Sequence, residues 1–484
     1  GRGSSQSAPY GNGTNNVAFG REALRSISSG SFNVAIGRDA LELTTDGGYN
    51  IGLGYQAGVA ITSGNNNITI GRNAGNSIST GGNNVAIGYQ ALYLENTGGN
   101  AVAIGYRAGY KNRISATNYN IFLGTNSGRE NASGNQNTYL GYGAGYGLDG
   151  SHSDKNVAVG MYSLFNVIGD NTTAVGWYAG IYASGSSNTF VGSQAGMGGT
   201  TSAPFSSGEK NTAVGYNALA GFTTGERVVA LGYNAGASLT TGGQSVFIGY
   251  NAGDGTTNSY RNIAIGDSAL SEDADDDNIA IGFFALKDLA SGGSGNIGIG
   301  TRAGETLTSG VRNIAIGWRT MWDLNAGSNS ADSEDNIAIG YAAMNGTWAN
   351  TRSDKNVAIG SYSMDGALDG ANDNVAVGYQ TLSSITGDDA NVAVGNQAMF
   401  QGGGSQNIAI GDNAMYQGPT GGTNYAIGRY SMMDCNAGSN ALSSNSNIAI
   451  GHSALGGTWA DTASNYNTAI GHYVMDAGVD GALY

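Results

Sequence analysis

Apolar and polar positions alternate in a five-residue block that recurs 26 times along the chain. Its commonest form is Asn-x-Ala-Ile-Gly. The first copy is Asn16-Val17-Ala18-Phe19-Gly20 and the last is Asn467-Thr468-Ala469-Ile470-Gly471. Counted from the closing glycine, position −1 is apolar in all 26 copies and position −3 is Val or Ile in 20. Positions two apart share one face of a strand, and β-branched side chains suit that role. The pattern therefore predicts a short strand in every block, with −3 and −1 as the stacked inner core. Position −2, between them, is mostly Ala (Ala35, Ala86, Ala158, Ala280). Alanine is a poor strand former, so its persistence predicts a second buried face packed closely against a neighbouring chain. Phe122, Tyr139, Phe190 and Phe247 would fill wider gaps on that face.

The rest of each block is equally regular. Position +3 is Ala in 19 copies, followed by Leu or Met (Leu24, Leu92, Met344) or by Gly (Gly58, Gly75), which predicts a return strand. A further glycine at −7 (Gly13, Gly30, Gly64, Gly81, Gly98) predicts a corner with positive φ. Asn at −4, present in 22 copies, suits left-handed turn geometry and also a ladder of stacked amides. Most closing glycines fall 16 to 18 residues apart. A fixed short period over a whole chain is the mark of a solenoid. The expected fold is all-β: a parallel β-solenoid of about 26 coils, with residues 1–11 as lead-in and 12–484 as one continuous array. So thin a coil has little core of its own, which again favours burial against sister chains.

Composition narrows the function. Gly 84 with Pro 3 and no three-residue period excludes collagen. Hydrophobic residues at 40% in fixed positions argue against disorder. A net charge of −15 leaves no basic stripe for phosphate, so neither nucleic acid nor an anionic membrane surface is an expected partner. No apolar run approaches the length of a membrane span. Cys435 is the single cysteine, which leaves no disulfide framework and no thiolate metal site. The chain opens Gly1-Arg2-Gly3 without Met or a signal peptide and stops at Tyr484 partway through a coil. A fragment, or an end that abuts another subunit, is the expectation.

The Asn-x-Ala-Ile-Gly-x-x-Ala core resembles the head repeats of YadA-like trimeric autotransporter adhesins. The longer stretch Thr80-Gly81-Gly82-Asn83-Asn84-Val85-Ala86-Ile87-Gly88-Tyr89-Gln90-Ala91-Leu92 is similar to the repeats of some bacteriophage tail fibres. The resemblance covers nearly the whole chain. It implies a left-handed β-roll, a homotrimer and an adhesive or receptor-binding role. The 17-residue step is longer than is usual in adhesin heads and favours the fibre version. The expected protein is a tail-fibre shaft or receptor-binding segment on a virion surface. A bacterial cell-surface adhesin or self-assembling extracellular filament is the alternative, and a polysaccharide depolymerase a distant one. Expected partners are sister chains, end-to-end neighbours, and a host-surface glycan or receptor.

A longer period overlies the short one. Asn325-Ala326-Gly327-Ser328-Asn329 returns as Asn436-Ala437-Gly438-Ser439-Asn440, and Gly346-Thr347-Trp348-Ala349 as Gly457-Thr458-Trp459-Ala460. This reads as a duplication of six coils, 317–427 and 428–484. Long turns are where variation, and hence binding, is best tolerated. Candidate binding residues there are Pro204, Phe205, Trp322, Asp323, Trp348, Asn350, Trp459 and Asp461. Trp348 and Trp459, each near Asn or Asp, would stack on a sugar face; the competing reading is that they plug the space under a bulged turn. His452 and His472 follow successive repeat glycines and read as outward turn residues rather than metal ligands. The acidic run Asp273, Asp275, Asp276, Asp277 fits no calcium-loop spacing and reads as a solvated turn. No catalytic arrangement recurs, so no enzyme activity, cofactor or metal is expected.

Overall fold

The computed structural model describes residues 12–113, 118–148, 152–166, 168–202, 205–322, 332–348, 351–434, 443–459 and 463–477. The chain divides into two units, Gly1–Gly243 and Gln244–Tyr484. Each is a parallel β-solenoid. The first runs from β1 (Val17–Phe19) to β13 (Val229–Leu231), the second from β14 (Val246–Ile248) to β26 (Thr468–Ile470). All 26 strands are three residues long and coincide with positions −3 to −1 of the repeat. Stacking is in exact register: Val17 pairs with Val34, Ala18 with Ala35, and so on, and likewise Ile263 with Ile279 in the second unit.

The strand faces are inverted relative to the sequence expectation. The central residue points into the coil: Ala35, Ala86, Ala158 and Ala280 are all fully buried. The flanking Val and Ile residues point out, and Ile36 retains 38% of its exposure. Alternation says which residues share a face but not which face is inside. The coil closes in about 17 residues, and its interior has room for a methyl group opposite one larger side chain. β-Branched residues at −3 and −1 would overfill it.

That larger side chain comes from position +4, as with Leu24 and Leu41, or from +7, as with Ile61 and Ile78, all fully buried. The segment carrying them is not the expected return strand. It is a chain of turns in which φ changes sign: Asp39 (59°) and Leu41 (48°) are left-handed on either side of Ala40. Its amides still bond from coil to coil, Leu41 N to Ala57 O at 3.0 Å and Asp39 N to Arg21 O at 2.9 Å. Each coil thus has one strand, not two.

Two glycine columns have different causes. At the closing position φ is near +130°, and a Cβ on Gly54 (φ 134°) would come within 2.8 Å of Gly71 O in the next coil. The −7 glycines Gly13, Gly30, Gly64, Gly81 and Gly98 do not have positive φ, though Gly404 (78°) does. Gly47 is required by close stacking alone, since a Cβ there would sit 2.5 Å from Gly64 O.

Asn at −4 is likewise selected for stacking rather than for turn geometry. The left-handed residue is its neighbour at −5, as at Phe32, Tyr49 and Asn83. The amides form a buried ladder. Asn67 accepts from Asn84 N at 3.1 Å, and its Nδ2 donates to Gly81 O at 2.9 Å and to Asn50 Oδ1 at 3.1 Å. A second ladder, unforeseen in the sequence, runs along −6. In the second unit Glu334 N donates to Asp354 Oδ1 (2.8 Å), Asp354 N to Asn372 Oδ1 (2.9 Å), and Asn372 N to Asp389 Oδ1 (2.7 Å).

Candidate binding surface

Because the flanking residues of each strand point outward, each unit carries two parallel rows of Val, Ile and Leu on its surface. Ile51, Leu53, Ile121 and Leu123 are exposed in the first unit, and Ile359, Ile410 and Ile427 in the second. At about 4.8 Å per coil, 13 coils give a stripe roughly 60 Å long in each unit. Its area is on the order of 1,000 Å², against roughly 300–600 Å² for the largest apolar patch of an ordinary monomer.

Position +1 adds a third row, occupied by Tyr, Trp or Phe in 12 of 26 coils. In several places along this row successive rings stack on one another. Tyr89 and Tyr106 lie 5.3 Å apart at 18°, Tyr216 and Tyr233 5.1 Å apart at 19°. Arginines fill gaps between rings, as Arg72 does between Tyr55 and Tyr89. Rings stacked in this way cover one another's faces and present edges and hydroxyls to solvent.

The candidate residues of the long turns are dispersed. Trp348 and Trp459 are fully buried. Trp459 Nε1 donates to Leu455 O at 3.4 Å, and Trp348 Nε1 has no partner. Neither ring is open to a sugar, so the plug reading holds for both. Trp322 is half-buried, its Nε1 donates to Glu305 Oε2 at 2.9 Å, and Arg319 lies over its ring at 4.3 Å. Phe205 stacks on Tyr182 at 6.3 Å. Pro204, Asp323, Asn350 and Asp461, like Cys435, lie outside the described residues.

Charged clusters are internally satisfied. Asp273 accepts from Thr257 N at 2.8 Å, Asp276 from Tyr260 N at 2.9 Å and Asp275 from Gly292 N at 3.0 Å. Arg261 pairs with Asp276 and Asp277 and holds the Asp277 carboxyl below the usual range. These carboxylates tie successive turns together. Glu22, Asp39 and Glu42 approach one another, but Arg25 bridges Glu22 and Glu42, and Arg38 pairs with Asp39. His452 and His472 lie 5.8 Å apart with their rings tilted at 44° on the outer surface, where His452 Nε2 meets Tyr473 OH at 3.1 Å.

One cavity of about 150 Å³ opens beside Gly143. Tyr142, Tyr162 and Phe165 form its aromatic walls, with Tyr146, Arg129 and Asn126 on the remaining sides. Sequence reasoning missed it. The available signal was that position +2 holds a glycine once in 26 coils, at Gly143.

No protein-family model matches the chain, and a search of curated proteins gives no match. Among the described residues no helix is long and apolar enough to cross a membrane.

Proposed function

We propose that the chain is the subunit of a structural and adhesive fibre: a tail-fibre shaft or receptor-binding segment displayed outside a cell or on a virion, assembled as a homotrimer of left-handed rolls. The observation that carries the reading is the outward stripe of Val, Ile and Leu along each unit. A stripe of that size left in water is an aggregation hazard, whereas sister chains bearing the same stripe in the same register bury it. The fixed −3/−1 spacing supplies such a match at every coil. The negative charge, −15 per chain, lies elsewhere on the surface and keeps the assembled fibre from clumping laterally. The resemblance of the repeat to fibre and adhesin repeats gives the stoichiometry and the handedness.

Sedimentation equilibrium tests the assembly. The expected mass is three times the 48.9 kDa of the chain. Ile87→Asp combined with Ile104→Asp, which places carboxylates on the stripe of two adjacent coils, shifts the mass toward one chain. A stable monomer at micromolar concentration with the stripe in water would overturn the reading.

A further inference from the structure

We propose that the notch beside Gly143 binds one hydroxylated six-membered ring, a single pyranose unit of a glycan. The proposal deepens the adhesive part of the fibre reading and is tested apart from assembly. Across 26 coils, position +2 lacks a side chain beyond Cβ twice, at Gly143 and Ala342. In both cases the next coil carries Tyr at +2, and that ring turns edge-on to the preceding +1 tyrosine. Tyr142 and Tyr162 lie 5.2 Å apart at 90°, Tyr341 and Tyr362 5.2 Å apart at 67°. The cause is steric. A Cβ on Gly143 would sit 2.9 Å from Tyr162 Cδ1, so there the ring lies against bare backbone; at Ala342 the side chain stops at a methyl, and a longer +2 side chain would take the ring's place.

The turned ring matters because it breaks the stack. Where neighbouring +1 rings lie parallel, each covers its neighbour's face. Tyr162 is perpendicular to Tyr142 and at 82° to Phe165, which leaves ring surface facing the cavity. At Tyr142 the third wall comes from +5: Phe165 stacks on Tyr146 at 4.7 Å, and Arg129 lies over Tyr146 at 5.4 Å. At Tyr341 the corresponding +5 residues are Asn345 and Asp365, so the aromatic wall is missing and the proposal assigns no site there.

The lining decides the ligand class. Aromatic surface takes the C–H face of a pyranose, and the phenol hydroxyls at the rim donate to and accept from its hydroxyls. Arg129 is bonded to the Tyr146 hydroxyl and shares the Glu130 carboxylate with Lys111; it is the one charged residue of the lining, and the aromatic walls set the ligand class. A volume of about 150 Å³ admits one ring and not a drug-sized ligand.

The test is saturation-transfer NMR on the full chain. The probes are methyl α-glucopyranoside, methyl α-galactopyranoside, methyl α-mannopyranoside and methyl N-acetyl-β-glucosaminide, with binding expected near millimolar, about −4 kcal/mol. Transfer to at least one probe is expected. Gly143→Gln restores a side chain found at +2 in other coils, such as Gln56 and Gln90, and closes the notch; Tyr162→Ser removes the turned ring without crowding. Both reduce transfer at least fivefold with circular dichroism and sedimentation unchanged, while Tyr362→Ser leaves transfer intact. Absence of transfer to every probe, or transfer that survives both Gly143→Gln and Tyr162→Ser, overturns the proposal. A monomeric protein that still binds would refute the trimer and leave the notch standing.

Discussion

Phe247 and Gly253 are a size-matched pair: a Cβ on Gly253 would overlap the Phe247 ring. The same relation joins Phe122 to Gly128, Tyr139 to Gly145 and Phe190 to Gly196. Many coils have one large interior side chain, on the strand or four residues after the closing glycine; others place it at +7, as with Ile61, or fill both +4 and +7, as with Leu219 and Phe222. Most coils with Ala on the strand place the large side chain at +4, as with Ala264 and Leu270, both fully buried, while Ala230 is matched with Leu239 at +7.

A swap within one coil follows. Phe247→Ala leaves a void and costs about 3–5 kcal/mol. Gly253→Leu alone overpacks and costs about 1–3 kcal/mol. Leu is tolerated by the backbone at +4, since Leu270 has φ 53° where Gly253 has 62°. The double variant recreates the Ala264–Leu270 arrangement and recovers most of the loss. A double-mutant cycle by urea denaturation measures the coupling, expected at 2 kcal/mol or more; additive effects would deny the pairing.

The asparagine ladder predicts a local, directional defect. Asn67→Ala removes the acceptor for Asn84 N and the donor to Gly81 O. Each buried group so orphaned costs about 1–3 kcal/mol. Asn67→Asp keeps the acceptor toward Asn84 but sets a buried, unpaired carboxylate against Gly81 O and Asn50 Oδ1, so it is expected to be the more severe change at neutral pH. Hydrogen exchange should quicken at Asn84 and its neighbours and stay slow several coils away, because solenoid stability is summed over nearest neighbours.

The strand positions, the coil-on-coil stacking and the amide ladder were legible in the sequence, because each depends on the spacing of residue types. The inside of the coil was not. Val85 and Ile87 are more hydrophobic than Ala86, yet Ala86 is the buried one. Hydrophobicity ranks what gains from burial, while the narrow interior decides what fits, and the preference is then satisfied against something outside the coil. The return segment misled for a related reason. Ala40 and Leu41 read as strand, but closing the coil in so few residues demands alternating signs of φ that no propensity scale encodes. The Tyr142 notch depends on one missing side chain and becomes visible only when the +2 column is read down all the coils.

Glu95 gives the stability a pH dependence. It occupies position +7, an interior site filled by Ile61 and Ile78 in earlier coils, and is fully buried. It accepts from Asn96 N (3.1 Å), Gly98 N (2.9 Å) and Asn118 Nδ2 (3.1 Å). Burial outweighs these bonds and pushes its carboxyl from 4.5 up to about 7. The folded chain therefore holds a proton that the unfolded chain releases near 4.5. The stabilisation is complete below that pH and is lost as pH rises through about 7. The difference corresponds to about 3 kcal/mol. Glu95→Gln keeps an acceptor for the Asn96 and Gly98 amides, loses the one toward Asn118 Nδ2 and cannot ionise, so the wild-type urea midpoint should fall relative to that of the variant between pH 4.5 and pH 8. Equal pH profiles for the two proteins would rule the account out.

Trp348 fixes what the long turns contribute. Its ring is fully buried and its Nε1 has no partner, so the side chain acts through volume and not through hydrogen bonding. Trp348→Phe removes an unsatisfied donor together with some packing, and the two changes offset to within about 1.5 kcal/mol. Trp348→Ala leaves the full void and costs about 3–5 kcal/mol. Trp459, in the corresponding turn of the second copy, donates to Leu455 O, so Trp459→Phe should cost more than Trp348→Phe by about 1 kcal/mol. Thermal melts of the three variants decide the order. If sugar recognition rather than packing were the role of these rings, both Phe variants would melt with wild type while glycan binding fell; the buried geometry predicts the reverse, with binding of the methyl glycosides untouched in each.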